Sequence, residues 1–164
     1  MTGDTPTAIF TLGLPAAGKS TVISAAYANT HAVLDCDSIK ETHPDYDPAN
    51  PAALHAWSKG VLAERFAEAL RLKAPFVYDS TGTDVARMSA GMTAAREAGF
   101  KVVLEMVSVP LHVSIERNLT RSRRVPLPII ITKAGQVRDA FATLAPNACE
   151  ARERDNSRYD PAFA

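Results

Sequence analysis

The sequence predicts an α/β fold, three layers deep, with helices on both sides of a five-stranded, mostly parallel sheet, and three observations carry the prediction. Short apolar runs at Ala8 to Leu12, His31 to Leu34, Phe76 to Tyr78 and Lys101 to Val109 alternate with helical stretches. The first three runs end at Gly13, Asp35 and Asp79, residue types that stop a strand and leave polar groups at its carboxyl end. Finally, 164 residues, 46% of them hydrophobic, suffice for one domain spanning residues 1–164. A chain of that size buries roughly 70% of its unfolded surface without needing a disulfide or a structural metal.

The first run, Ala8 to Leu12, is apolar throughout, as a strand buried on both faces should be. Helix signals start at Lys19. After the second strand, the proline-rich stretch from Pro44 to Pro51 reads as a loop. Leu54, Trp57, Val61, Leu62, Phe66, Ala69 and Leu70 then repeat at helical spacing, so a long helix from about Ala52 to Lys73 is expected, with Trp57 in the core. The third strand follows at Phe76. Asp84 can cap a helix that runs to Ala98 and stops at Gly99. Lys101 to Val109 makes the fourth strand, and Pro110 opens a further helix from its first position. That helix leads into the basic segment Arg121 to Arg124, where Pro126 and Pro128 intervene. A last helix from about Ile130 to Leu144 and a charged edge strand within Ala148 to Asn156 complete the chain.

Charge and cysteine content exclude several classes. With 18 basic and 18 acidic side chains, the chain cannot coat nucleic acid or an anionic membrane through bulk charge. Cys36 and Cys149 lie far apart in no metal-binding spacing, and no secretory leader is visible, so a reduced cytoplasmic setting is expected. The most apolar stretch is interrupted by Glu105 and Pro110 and falls far short of the roughly 20 residues a membrane helix needs. The expected state is a monomer with no membrane partner.

The zero net charge conceals a split. Residues 1–60 carry three bases and six acids, whereas Glu116 to Asp139 carries six bases and two acids.

The sharpest signal is Gly13-Leu14-Pro15-Ala16-Ala17-Gly18-Lys19-Ser20-Thr21, which is G-x-x-x-x-G-K-S-T between a strand and a helix. Glycines let the backbone wrap so that successive N–H groups point inward, and the helix adds its positive end, making a cradle for a triphosphate. Lys19 would reach the β- and γ-phosphates, and the Ser20 hydroxyl would ligate Mg²⁺. ATP and Mg²⁺ are therefore the expected cofactors.

Asp35 and Asp37 follow the second strand, at the sheet edge where ligands bind. A kinase needs one carboxylate to accept the proton of the attacking hydroxyl and often another to organise the metal shell, while a solvated turn with a helix cap is the plainer use of such a pair. Arg117, Arg121, Arg123 and Arg124 are a second constellation. Arg117 and Arg121, four apart, would share a helix face, and a lid over about residues 117–130 would deliver guanidinium groups to the charge that spreads over a transferring phosphoryl group. Arg87 follows the third strand and either contacts an acceptor phosphate or faces solvent. His43 reads as a loop residue and Cys36 as packing.

These residues resemble the small P-loop kinases that include the zeta toxins and the kinase domains of bacteriophage-type polynucleotide kinases. Leu34-Asp35-Cys36-Asp37-Ser38-Ile39-Lys40 followed by His43-Pro44-Asp45-Tyr46 is similar to the zeta-toxin segment after the second strand. That resemblance implies Asp37 as general base, Lys40 as a substrate-phosphate contact, and Asp79 and Thr81, in Asp79-Ser80-Thr81-Gly82, as substrate-holding residues. Arg117-Asn118 and Arg121, with Val125-Pro126 beyond, look like a polynucleotide-kinase lid. This implies Arg117 near the nucleotide base and Arg121 on the transferring phosphate. Lys40 stands where polynucleotide kinases carry arginine, and the lid arginine pattern differs from that of the zeta toxins.

The resulting expectation is an ATP-dependent kinase acting on a hydroxyl of a nucleic acid or nucleotide, either a 5′-hydroxyl end or a hydroxymethylated base. Its binding residues would be Gly13, Ala16, Ala17, Gly18, Lys19, Ser20, Thr21 and Arg117 for nucleotide, and Asp35, Lys40, Asp79, Thr81 and Arg87 for acceptor. Asp37, Lys19, Arg121 and Arg124 would act on the reacting atoms. A zeta-toxin-like kinase of a UDP-N-acetylhexosamine, with an antitoxin as partner, is the alternative, and a nucleotide switch or slow NTPase is the reading from a different class.

Overall fold

The structure, a computed structural model, describes residues 5–122 and 124–158. Five strands, β1 (Thr7–Gly13), β2 (Ala32–Leu34), β3 (Phe76–Asp79), β4 (Lys101–Ser108) and β5 (Glu150–Asp155), form one sheet in the order β2-β3-β1-β4-β5. All four pairings are parallel, so every strand points its carboxyl end the same way. The helices are α1 (Lys19–Tyr27), α2 (Cys36–Glu41), α3 (His55–Leu72), α4 (Val85–Glu97), α5 (Leu111–Thr120) and α6 (Leu127–Leu144).

Side-chain alternation along the strands divides the core between two faces. Ala8, Phe10 and Leu12 of β1, Phe76 of β3 and Leu104 of β4 pack against Leu62 of α3, Met92 of α4 and Val137 of α6. Ile9, Val77 and Val103 face the other way, against Ile23 and Tyr27 of α1. Helices therefore cover both sides, and the expected three layers are present. No helix among the described residues is long and apolar enough to cross a membrane.

Three local expectations are corrected. Trp57 is 39% exposed and lies outside the core, its ring edge-on to His43 at a centroid distance of 4.5 Å. A 3-10 turn at Pro51–Leu54 precedes α3, and the helix turns Ser58 and Leu62 inward rather than Trp57. Pro110 is the N-cap of α5 rather than its first residue. The last helix starts at Leu127, because Pro128 fits the first turn, where its missing N–H costs nothing.

Glu105 does more than interrupt an apolar run. It is fully buried on β4, beside its register partner Arg152 on β5. Arg152 Nε donates to Glu105 Oε2 at 2.6 Å, Arg154 Nε to Oε1 at 3.2 Å, and the Tyr27 hydroxyl to Oε2 at 2.7 Å. This network ties β5 to β4 and to α1. Burial alone would raise the Glu105 pKa, but the hydrogen bonds from Tyr27, Arg154 and Arg152 outweigh it and hold the carboxyl below its ordinary value.

Candidate active site

Because β2, β3 and β1 are neighbours and parallel, their carboxyl ends bring Asp35, Asp79 and the loop after Gly13 to one edge of the sheet. The loop itself is shaped by backbone demands. Gly18 has φ +85°, the left-handed region that glycine tolerates best, and Ala16 sits at φ 59°. A side chain at Gly13 would bring its Cβ to 2.6 Å from the Val107 carbonyl oxygen.

The loop's carbonyls are held from behind. Ser114 Oγ donates to the Pro15 carbonyl at 2.7 Å, and Asn156 Nδ2 donates to the Ala17 carbonyl at 2.8 Å. Arg117 joins them, with Nη1 to the Ala17 carbonyl at 3.4 Å and Nη2 to the Asn156 carbonyl at 2.8 Å. Turning carbonyls outward leaves the peptide N–H groups free to face a ligand, which is what an anion cradle requires. Asn156→Ala should accordingly weaken ATP binding about two- to tenfold, the worth of one hydrogen bond, as read by calorimetry with a non-hydrolysable analogue.

A cleft of about 900 Å³ opens over the loop. Ala16, Ala17, Gly18, Lys19, Ser20 and Thr21 line its floor, Asp35, Asp37 and Asp79 one wall, and Arg117 and Arg121 the other. Arg121 is not on the helix face with Arg117, since α5 ends at Thr120 and Arg121 is extended, yet both side chains reach the cleft. Arg124 is exposed and lines no part of it. Arg123 lies outside the described residues.

A second cavity of about 350 Å³ adjoins the first and shares Asp35, Asp37, Asp79 and Thr81 with it. Lys40 and Arg87 line only this second cavity. The sites expected for nucleotide and acceptor are thus adjacent, with Asp37 facing both.

Each acid there has a distinct position. Asp35 caps α2, accepting from the backbone N–H groups of Asp37 and Ser38 at 3.2 and 2.9 Å. Asp37 is 53% exposed and pairs through Oδ1 with Lys40 Nζ at 3.1 Å, while the Lys40 side chain is only 6% exposed. Asp79 accepts from the Thr11 hydroxyl at 2.7 Å. Burial raises the Asp79 pKa, and the nearby Lys19 ammonium and the Thr11 hydrogen bond oppose the rise.

The donor set fits Mg²⁺. The Ser20 hydroxyl and the carboxylates of Asp35, Asp37 and Asp79 line one cleft, and hard oxygen ligands are what this ion takes. Among the described residues no three His, Cys, Asp or Glu side chains converge as a self-sufficient metal cage. That also suits an ion held by one or two protein oxygens together with nucleotide phosphates and water.

Several lining residues carry no sequence signal. Lys133 of α6 reaches the first cleft and donates to Thr83 Oγ1 at 3.2 Å, while His55 and Lys59 of α3 line the second cavity. Asn156 and Ser114 act on the loop from 139 and 99 residues away in sequence. No local pattern encodes such pairings.

Residues 9–144 match the AAA domain family AAA_33. No curated protein matches the sequence. Among solved structures, the fold is similar to one from the PezAT chromosomal toxin-antitoxin system of Streptococcus pneumoniae, with TM-score 0.79 and 16% identity over 96% of this chain and 70% of that one. It is also similar to a chain of the AvrRxo1-ORF1:AvrRxo1-ORF2 complex with ATP, with TM-score 0.71 and 22% identity over 93% of this chain and 55% of that one. A third is a chain of the Pnkp1/Rnl/Hen1 RNA repair complex, with TM-score 0.65 and 12% identity over 87% and 47%. The protein thus spans about seven tenths of the first of these chains and about half of the other two.

Proposed function

The chain belongs to the AAA_33 family of P-loop kinases, and on that premise we propose that it transfers the γ-phosphate of ATP to a hydroxyl of a nucleic-acid or nucleotide acceptor, with Asp37 as general base. The observation that carries this reading is the place of Asp37 between two adjoining cavities, one over the phosphate loop and one beyond it. A nucleotide switch needs no second cavity and no carboxylate facing both.

In this reading Lys19 and the loop N–H groups bind the β- and γ-phosphates, and Ser20 with a neighbouring carboxylate holds Mg²⁺. Bound there, the ion would offset phosphate charge as it develops. Asp37 takes the proton of the acceptor hydroxyl as the oxygen attacks phosphorus. Lys40, pinned beneath Asp37, fixes the carboxylate's orientation. Arg121 and Lys133 approach from the opposite wall and neutralise the equatorial oxygens of the transferring group. Arg117 acts mainly on the shape of the loop through the Ala17 carbonyl.

A second acceptor, a UDP-N-acetylhexosamine, is favoured by the likeness to the toxin–antitoxin structure, which has the higher TM-score and the greater coverage when set beside the RNA repair structure. An antitoxin would then be the partner.

Incubation with γ-labelled ATP and a panel of 5′-hydroxyl oligonucleotides, hydroxymethyl-base DNA and UDP-N-acetylhexosamines tests both. Label on an oligonucleotide or on DNA is the expected result. Label on the sugar nucleotide alone replaces the first acceptor with the second, and release of free phosphate with no labelled acceptor overturns the kinase reading.

A further inference from the structure

The second cavity has an uneven charge balance. Its acids have work within the fold: Asp35 caps α2, Asp84 caps α4 by accepting from the Arg87 N–H at 3.1 Å, Asp79 takes the Thr11 hydroxyl, and Asp37 pairs with Lys40. Two of its bases lack such partners. Among the described residues, neither Lys59 of α3 nor Arg87 of α4 has a carboxylate within ion-pair distance, although both line the same cavity.

These two residues come from different helices, 28 positions apart in sequence, so the fold rather than a run of like charges brings them together. His55 stands one helical turn before Lys59, on the same side of α3. Desolvation and then the charges of Lys59, Lys40 and Arg87 hold its pKa below the ordinary value, with Asp37 opposing, as expected where positive potential collects. Arg87 also lies beside the Tyr78 hydroxyl, which limits the directions its guanidinium can take.

We infer that this cavity binds the acceptor through a phosphate group seated between Lys59 and Arg87, with the reacting hydroxyl directed toward Asp37. The inference rests on the kinase reading and narrows it to acceptors that are already phosphorylated. A guanidinium and an ammonium from two sides suit a phosphate's several oxygens, the first by paired hydrogen bonds and the second as a point charge. A volume of about 350 Å³ suits one nucleotide unit or one phosphorylated sugar rather than a duplex. Because Lys59 and Arg87 are both exposed side chains, an acceptor can reach them without rearranging the core.

Matched pairs test the inference. With the donor site saturated by a non-hydrolysable ATP analogue and Mg²⁺, calorimetry would compare thymidine 3′-monophosphate with thymidine, and UDP-N-acetylglucosamine with N-acetylglucosamine. The phosphate-bearing member of at least one pair should bind about thirtyfold or more tightly than its neutral counterpart, the yield of two charge-assisted contacts at a solvent-facing site. Which pair responds identifies the source of the phosphate.

In the double variant Lys59→Gln, Arg87→Gln, that preference should fall at least tenfold, with circular dichroism and affinity for the ATP analogue as folding controls. Equal binding within both pairs, or a preference that survives the double variant, overturns the inference. Phosphate-dependent binding without label transfer to any acceptor would leave the anion site standing and overturn the kinase reading instead.

Discussion

Asp37→Asn should lower phosphoryl transfer 10²- to 10⁴-fold, roughly the contribution of a positioned general base, while ATP affinity changes by less than about twofold. The asparagine keeps the size and hydrogen-bonding reach of the side chain but cannot take up the proton of the attacking hydroxyl. Asp37 faces both cavities, is half exposed, and is steered by a buried lysine at 3.1 Å, so a carboxylate is presented where donor and acceptor meet.

Asp35 is the control. Its carboxylate caps α2, and asparagine caps a helix nearly as well as aspartate, so Asp35→Asn should keep the fold and lose less than tenfold in transfer. Single-turnover rates with the acceptor found in the labelling panel, beside calorimetric ATP affinities, would measure both. A loss below tenfold for Asp37→Asn removes it as the base, and a deeper loss for Asp35→Asn moves the assignment two residues back.

The largest effect on stability should come from Glu105→Ala. Removing this carboxylate leaves two guanidinium groups and the Tyr27 hydroxyl facing a buried gap, a change that typically costs about 3–5 kcal/mol. For a chain of this length that is a fall of roughly 10 °C or more in Tm, measurable by calorimetry. Acid titration gives an independent check. The folded-state pKa of Glu105 lies below its ordinary value of 4.5, so its contribution is fully present above that value and is lost as pH falls through the folded pKa. Glu105→Gln should therefore remove part of the acid-induced loss of stability, and its curve should run flatter than the wild type's below about pH 4.5.

Features with a local cause were legible in the sequence. The phosphate loop, the strand ends at Asp35 and Asp79, and the cap at Asp84 all depend on neighbours a few residues away, and the structure places them as expected. The helix α2 was foreshadowed only as the plainer use of Asp35, yet its cap bonds confirm that use. Features that depend on distant segments were not legible. Trp57 fitted a helical apolar stripe, but the preceding 3-10 turn and the packing of α3 direct Ser58 inward instead. Glu105 looked like a flaw in a strand because its partners on α1 and β5 lie 78 and 47 residues away. His55 and Lys59 looked like the polar side of a helix, and only the approach of α4 gives them a shared cavity with Arg87.

The placement of β5 at the rim of the sheet has a consequence for life in a crowded solution. A rim strand shows unpaired backbone N–H and C=O groups, an invitation for a second chain to add on and begin an aggregate. In β5, five of six residues are charged, and two arginines are anchored inward on Glu105 while Glu153 and Asp155 remain exposed. An incoming strand would have to strip water from those carboxylates and match an alternating pattern of charges. The residues that fasten the last strand to its sheet thus belong to a segment that discourages further strands from joining it.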